Sequence, residues 1–211
     1  LGCGTGLSLT ALSERYPKAQ VLGADLSEAM LQAGRRQRSR LRWLLPFMRG
    51  NRTSLVSADA TALPFGQGGV GMVWSNLMLQ WLDDPVPAFR EMHRTLDVGG
   101  LLMFSTFGPD TLKELRGSFS DGYEHTQRFT DMHDLGDMLI ECGFADRVMD
   151  VEVLTMTYST LDDLFRDLRQ SGASCAMQTR NRGLTGRQGW QSARAEYEKR
   201  VRDGRFPATF E

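Results

Sequence analysis

From residue 1 to about residue 108, short apolar runs alternate with stretches whose apolar residues recur at helical spacing. No other feature of the chain constrains its fold as tightly. Strand followed by helix, repeatedly, predicts a parallel sheet wound with crossover helices. The helical stretches are LSLTALSERYP, stopped by Pro17, SEAMLQAGRRQ, with Ser27 as its N-cap, and DPVPAFREMHRTLDVGG, closed by two glycines. Between them lie AQVLGAD, TSLVS and GVGMVWSN, and LLMFSTFG follows, uncharged throughout as expected of a strand covered on both faces. Beyond residue 108 the pattern loosens. PDTLKELRGSF reads as helical, GYEHTQRFT as a loop, and DMHDLGDMLIECGF as an amphipathic helix between an Asp131 cap and Gly143. VMDVEVLTMTYS alternates like a strand, and helices over about 161–171 and 185–202 precede a last strand in FPATFE.

Composition narrows the class without naming it. The 211 residues suffice for one substantial core, and 41% hydrophobic with 24% charged residues is ordinary for a globular chain. The net charge of −1 gives no global pull toward nucleic acid or membrane. Locally the balance is uneven: residues 34–53 carry seven arginines and no acid, and the stretch from Thr179 to Arg205 is also basic. Either is a solvated face or a partner surface. Cys3, Cys142 and Cys175 are too scattered for a disulfide framework, which points to a reducing compartment, and His93, His125 and His133 form no metal-ligand spacing. No run of 18 apolar residues is present.

The chain opens on LGCGTG. Such a loop brings backbone N–H groups close to a ligand and needs a strand to aim it. Residue 1 is not Met, so the expectation is a fragment lacking its first strand, with FPATFE cut within the last. The pattern Gly2-Cys3-Gly4-Thr5-Gly6 is G-x-G-x-G, not the dinucleotide G-x-G-x-x-G. Asp25 follows Gly6 by 19 positions, at a strand end where a carboxylate accepts from both ribose hydroxyls of a nucleoside cofactor. In SADATALPF, Asp59 is placed to accept from an adenine amino group beside the small Ala60, and Ser75 and Asn76 end the next strand beside the ligand crevice.

LGCGTG, GADLSEAML, SADATALPF and SNLMLQW at these intervals resemble the class I S-adenosylmethionine-dependent methyltransferases. The resemblance implies an α/β fold with a doubly wound, Rossmann-like, mostly parallel sheet, the helices inserted before the last strand forming a lid. It implies S-adenosyl-L-methionine as cofactor, with Gly2, Gly4 and Gly6 at its amino-acid part, Asp25 at the ribose and Asp59 at adenine. Cys3, Ala60 and Ser75 complete the expected cofactor contacts, with Leu26 either covering the nucleoside or packing in the core. The whole chain is expected to be a single domain, 1–108 forming the cofactor-binding half and 109–211 the substrate and lid half.

SNLMLQW, RFTDMHDLGDML, DLRQSGA and GLTGR further resemble the malonyl-acyl-carrier-protein O-methyltransferases of biotin synthesis. That family methylates the free carboxylate of a malonyl thioester, which implies malonyl-acyl carrier protein as partner, no nucleic acid, no membrane and a cytoplasmic location. A carboxylate with a pKa of about 4 is already ionised at neutral pH and needs no general base. Accordingly no catalytic dyad is found. The site needs a cation to select the carboxylate, and an arginine fork suits it. Arg128, before Phe129 in QRFT, is the candidate, with Arg116, Asn76, Gln80 and Trp81 as further pocket residues; His125 and His133 are read as bystanders. Arg180, Arg182 and Arg187, or the run from Arg35 to Arg42, are candidates for meeting an acidic carrier.

Three alternatives stay open on sequence alone. FGPDTLKELR and FTDMHDLGDML also resemble the arginine-hydroxylating assembly factor of mitochondrial complex I. A small-molecule or quinone methyltransferase shares the cofactor motifs, and so does a non-catalytic binding module on the same fold.

Overall fold

The computed structural model describes residues 1–44, 53–119, 129–170 and 187–211, without the side chains of 38–44 and 187–188. In chain order the elements are α1 (Leu7–Arg15), β1 (Val21–Asp25), α2 (Glu28–Leu44), β2 (Thr53–Ser57), β3 (Val70–Asn76), a 3-10 turn (Leu79–Trp81), α3 (Val86–Thr95) and β4 (Leu96–Ser105). There follow α4 (Lys113–Arg116), α5 (Met132–Glu141), β5 (Leu154–Tyr158), α6 (Leu161–Gln170), α7 (Arg187–Glu198) and β6 (Phe206–Phe210). The chain divides into two units, one of residues 1–106 with 138–146, the other of 107–137 with 147–211.

In the first unit β1 pairs in parallel with β2, and β3 in parallel with β4. The opening residues touch both pairs. Leu1 N donates to the Trp74 carbonyl on β3 (2.6 Å), and the Cys3 N–H donates to the Ala24 carbonyl on β1 (3.0 Å). The glycine loop therefore leaves from a point shared by β1 and β3, where an α/β sheet places its ligand. Under it, Ala24, Ala58 and Leu63 form a small apolar cluster with Leu1, Val56 and Phe65 packed against it. On α3, Ala88, Phe89, Met92 and Thr95 are fully buried, at the spacing of one helix face.

The second unit is held by a different kind of core. β5 and β6 pair antiparallel, Leu154 with Phe210 through Tyr158 with Phe206. The α6 sequence LDDLFRDLRQ puts Leu161, Leu164 and Leu168 on one face, and Thr160 starts it by accepting the Asp163 N–H (3.1 Å) while donating to its carboxylate (2.7 Å). Those leucines join Leu112, Leu115, Tyr197 and Ala208, with Phe119, Tyr158, Phe165, Phe206 and Phe210 packed around them.

Several boundaries differ from the expectations. The α3 helix does not run to the paired glycines: it ends at Thr95, because Leu96 already pairs with Val70. Gly99, at φ 77°, and Gly100 lie instead within β4, where the register shifts. The strand expected from Val148 begins only at Leu154, where β6 first offers a partner, and Val148, Val151 and Val153 are exposed. PDTLKELRGSF contributes one turn, α4, because its first residues bond across the chain to the last three: Asp110 N–H to Glu211 Oε2 (2.6 Å) and Leu112 N–H to Thr209 O (2.7 Å). Asp131 does cap α5, accepting the His133 N–H at 2.8 Å, and Gly143 follows it at φ 92°.

Candidate active site

The glycine loop is built as its spacing requires. Gly2, Gly4 and Gly6 have φ of 66°, 53° and 82°, the left-handed region that glycine enters without steric cost. The Gly6 N–H closes a turn onto the Cys3 carbonyl (2.7 Å) and starts α1. The loop is closely approached from two sides. At Gly2 an added Cβ would run into Cβ and Cγ of Met78, and on α2 a Cβ at Gly34 would run into the Thr5 carbonyl. Gly34 thus lets α2 approach the loop closely, a contact that the spacing of the loop glycines did not disclose.

Asp25 ends β1 beside the loop. One carboxylate oxygen accepts the Gly4 N–H (2.7 Å), the other the Ser27 N–H (2.8 Å), and its own carbonyl accepts the Ala58 N–H at the exit of β2 (3.0 Å). A carboxylate offers about four acceptor positions, so two backbone bonds leave capacity for a pair of hydroxyls. Leu26, next in the chain, is 72% exposed and takes no part in the core. At the end of β2, one oxygen of Asp59 takes both the Thr61 N–H and the Thr61 hydroxyl (2.8 Å each). Those two bonds hold its carboxyl below the ordinary carboxylate range. Ala60 beside it is buried.

At the carboxyl end of β3, Ser75 is 1% exposed, yet its hydroxyl has no hydrogen-bond partner; neither has the buried Oε1 of Gln80 in the 3-10 turn. Buried polar atoms without partners are uncommon, and each calls for an explanation. Asn76 is oriented by the Ser105 hydroxyl, which donates to its Oδ1 (2.6 Å). Leu77 then adopts φ 52°, a left-handed conformation costly for a leucine, held by its N–H bond to Ser105 O (3.0 Å). It turns the chain so that Met78 sits against Gly2; Trp81 is half-exposed.

Arg116, in the second unit, donates through Nη2 to the carbonyls of Pro109 (2.5 Å) and Thr111 (3.0 Å) in its own turn. Arg128, His125, Arg180 and Arg182 lie outside the described residues, as do the side chains of Arg187 and of the run after Gln37. Among the described residues no three His, Cys, Asp or Glu side chains gather as a metal site, and no helix is long and apolar enough to cross a membrane.

Comparison with known proteins places this geometry. Residues 1–104 match the family model described as a methyltransferase domain. An S-adenosylmethionine-dependent methyltransferase from Mesorhizobium loti shares the fold at TM-score 0.53 and 20% identity, over 82% of this chain and 84% of that one. The YcgJ protein of Bacillus subtilis does so at TM-score 0.64 and 16% identity, over 99% of this chain and 84% of its own. Fold and matched domain together define a class I S-adenosylmethionine-dependent methyltransferase. Much closer in sequence are malonyl-[acyl-carrier protein] O-methyltransferases from Laribacter hongkongensis, 49% identical over all of this chain and 71% of the relative, and from Nitrosospira multiformis, 48% identical with the same coverage. The chain belongs to the malonyl-[acyl-carrier protein] O-methyltransferase family.

Proposed function

We propose that this chain holds S-adenosylmethionine in its first unit and transfers the methyl group to the free carboxylate of malonyl-acyl carrier protein. The observation that carries this reading is 49% identity, over the whole chain, to a protein named for that reaction. When bound, S-adenosylmethionine supplies a methyl group on a positively charged sulfur, open to displacement by an oxygen nucleophile.

The residues present fit that cofactor. Gly2, Gly4 and Gly6, with Cys3 between them, give it a close backbone approach. Asp25 has acceptor capacity left for the ribose hydroxyls. Asp59, its second oxygen unused by Thr61, takes the adenine amino group beside Ala60, and Leu26 covers the nucleoside. Ser75, at the carboxyl end of β3, is assigned to the cofactor by its place beside the crevice. The acceptor needs no activating base, because a carboxylate of ordinary pKa, about 4, is already the nucleophile. The protein's work is alignment and exclusion of water.

For the substrate, Arg128 is assigned to the acceptor carboxylate, with Arg116, Asn76, Gln80 and Trp81 as further substrate-binding candidates. Since Ser105 occupies the Asn76 carbonyl, the amide N–H groups are what a substrate oxygen would meet. Residues 1–108 are assigned to the cofactor and 109–211 to the substrate and its lid. An acidic carrier protein is assigned to one of the two arginine-rich stretches, Arg35 to Arg42 or Arg180 to Arg187. The product ester disguises a charged end, which suits a cytoplasmic step that lets fatty-acid enzymes elongate a biotin precursor.

The test is direct. The protein is incubated with S-adenosylmethionine and malonyl-acyl carrier protein, and the carrier's intact mass is read for a gain of one methylene. Asp25→Ala is expected to lower cofactor affinity by roughly 100-fold, the scale of losing charge-assisted hydrogen bonds. Arg128→Ala is expected to raise the KM for the malonyl carrier more than it changes cofactor affinity. A protein that binds the cofactor and leaves the carrier's mass unchanged refutes the assignment.

A further inference from the structure

The segment between β2 and β3, residues 58–69, carries Asp59 and Ala60, and it is held at both ends by different means. At its start, Ala58 N–H bonds to Asp25 O and Asp59 is closed on Thr61. At its far end the clasp comes from α3. Glu91 accepts the Leu63 N–H (2.7 Å). Arg94, three residues on, donates to the Phe65 carbonyl (2.8 Å) and the Leu63 carbonyl (3.0 Å), and its backbone carbonyl accepts the Gly68 N–H (3.0 Å). Glu91 and Arg94 are themselves joined in a two-pronged pair, Nε to Oε1 at 2.6 Å and Nη2 to Oε2 at 2.7 Å. The Glu91 side chain is only 19% exposed and that of Arg94 37%. Arg94 holds the Glu91 carboxyl below its ordinary range, so the pair is charged at neutral pH.

This is more than the surface ion pair that the spacing E-x-x-R suggests. Both backbone polar groups of Leu63 terminate on α3 side chains, while its own side chain is buried with Ala24 and Ala58. Leu63 lies four residues past Asp59, which is too few for slack at one end not to reach the other.

We infer that Glu91 and Arg94 are positioning residues for the nucleobase: acting through Leu63 and Phe65, they set where Asp59 and Ala60 meet the adenine ring. The inference rests on the assignment of Asp59 to the adenine amino group made above. A single lysine nitrogen cannot reproduce what a rigid fork does for three acceptors, so the pair's geometry is the working part. Groups held by such a shell lose discrimination before they lose binding.

The experiment compares two ligands that differ only at the base, S-adenosylhomocysteine and S-inosylhomocysteine, by calorimetric binding to the whole protein. Inosine replaces the amino group with an oxo group, which a carboxylate repels. The unmodified protein is expected to favour the adenosyl ligand roughly tenfold or more. Asp59→Asn should abolish or invert that ratio. Glu91→Gln and Arg94→Lys should narrow it roughly threefold, and Arg94→Leu should narrow it further. The ratio is read on whatever protein binds, so a fall in yield or melting temperature does not imitate the effect; if Arg94→Leu is insoluble, the two milder variants decide. A ratio that Asp59→Asn changes but the Glu91 and Arg94 variants leave intact overturns the positioning role alone. A ratio that Asp59→Asn leaves intact overturns the adenine assignment, and the positioning role with it.

Discussion

The loop region of the first unit and the core of the second satisfy their polar atoms in opposite ways. In the second unit each buried hydroxyl among the described residues ends on protein. Thr209 donates to Glu114 (2.5 Å), Tyr197 to the Pro207 carbonyl (2.6 Å), Ser118 to the Glu114 carbonyl (2.7 Å) and Thr111 to the Glu211 carbonyl (3.2 Å). In the first unit, Ser75 Oγ and Gln80 Oε1 are equally buried and end on nothing. The second unit also packs seven buried residues into one cluster, whereas the cluster beneath the glycine loop holds three. The lesson is a difference in self-sufficiency: in the second unit protein groups answer the buried hydroxyls, and at the end of β3 they do not.

The largest expected effect attacks the self-sufficient core. Leu164 is fully buried, and Leu164→Ala should cost about 2–5 kcal/mol of stability in chemical denaturation. The extra stabilisation given by saturating S-adenosylhomocysteine should be the same as in the unmodified protein; a smaller increment would show that the two regions are not separable in this way. A sharper contrast comes from a matched pair of hydroxyl deletions. Tyr197→Phe leaves the Pro207 carbonyl bare and should cost about 1–2 kcal/mol without touching cofactor affinity. Ser75→Ala removes a hydroxyl that no protein group uses, so stability should stay within about 0.5 kcal/mol. Its cofactor affinity should fall roughly three- to tenfold. Equal stability losses in the two variants would break the comparison.

The smallest effect is on alkaline titration. Burial and the bond to Asp167 push the Tyr158 phenol up to about 12 from an ordinary 10, and burial also raises that of Tyr197. Between the ordinary and the raised value only the unfolded chain's phenol ionises, and that ionisation draws the equilibrium away from the folded state. The contribution is therefore fully present below pH 10 and lost as pH climbs through about 12. Absorbance titration should show Tyr158 ionising late and Tyr158→Phe removing that step. Ionisation of Tyr158 at an ordinary pH would deny the packing described around it.

The parts of this architecture that follow from short-range chemistry were legible in the residues. The glycine loop, Ser27 and Asp131 as caps, and the acids Asp25 and Asp59 at strand ends each depend on neighbours a few positions away. What sequence reasoning missed depends on partners far along the chain. Paired glycines looked like a helix stop, but Leu96 is drawn into β4 by Val70. The first residues of PDTLKELRGSF looked helical, but Asp110 and Leu112 bond to residues about a hundred positions on. In the site, Ser75 and Gln80 could be nominated from position, whereas their lack of a partner could not. Glu91 and Arg94 were not singled out at all, because their role depends on Leu63 and Phe65, about thirty positions earlier in the chain.

The two ends of the glycine loop also predict how it tolerates sequence drift. Gly4 has a left-handed backbone, but an added Cβ there would meet nothing within 4 Å. Gly2 has the same handedness and, in addition, Met78 where a side chain would begin. In a saturation library sorted only for folded protein, position 4 should admit asparagine and aspartate, the residues that best bear that conformation, while position 2 stays glycine. Sorted instead for growth that depends on the enzyme, both positions should collapse to glycine. The gap between the two libraries at position 4 would measure how much of a motif's constancy belongs to the ligand and how much to the chain itself.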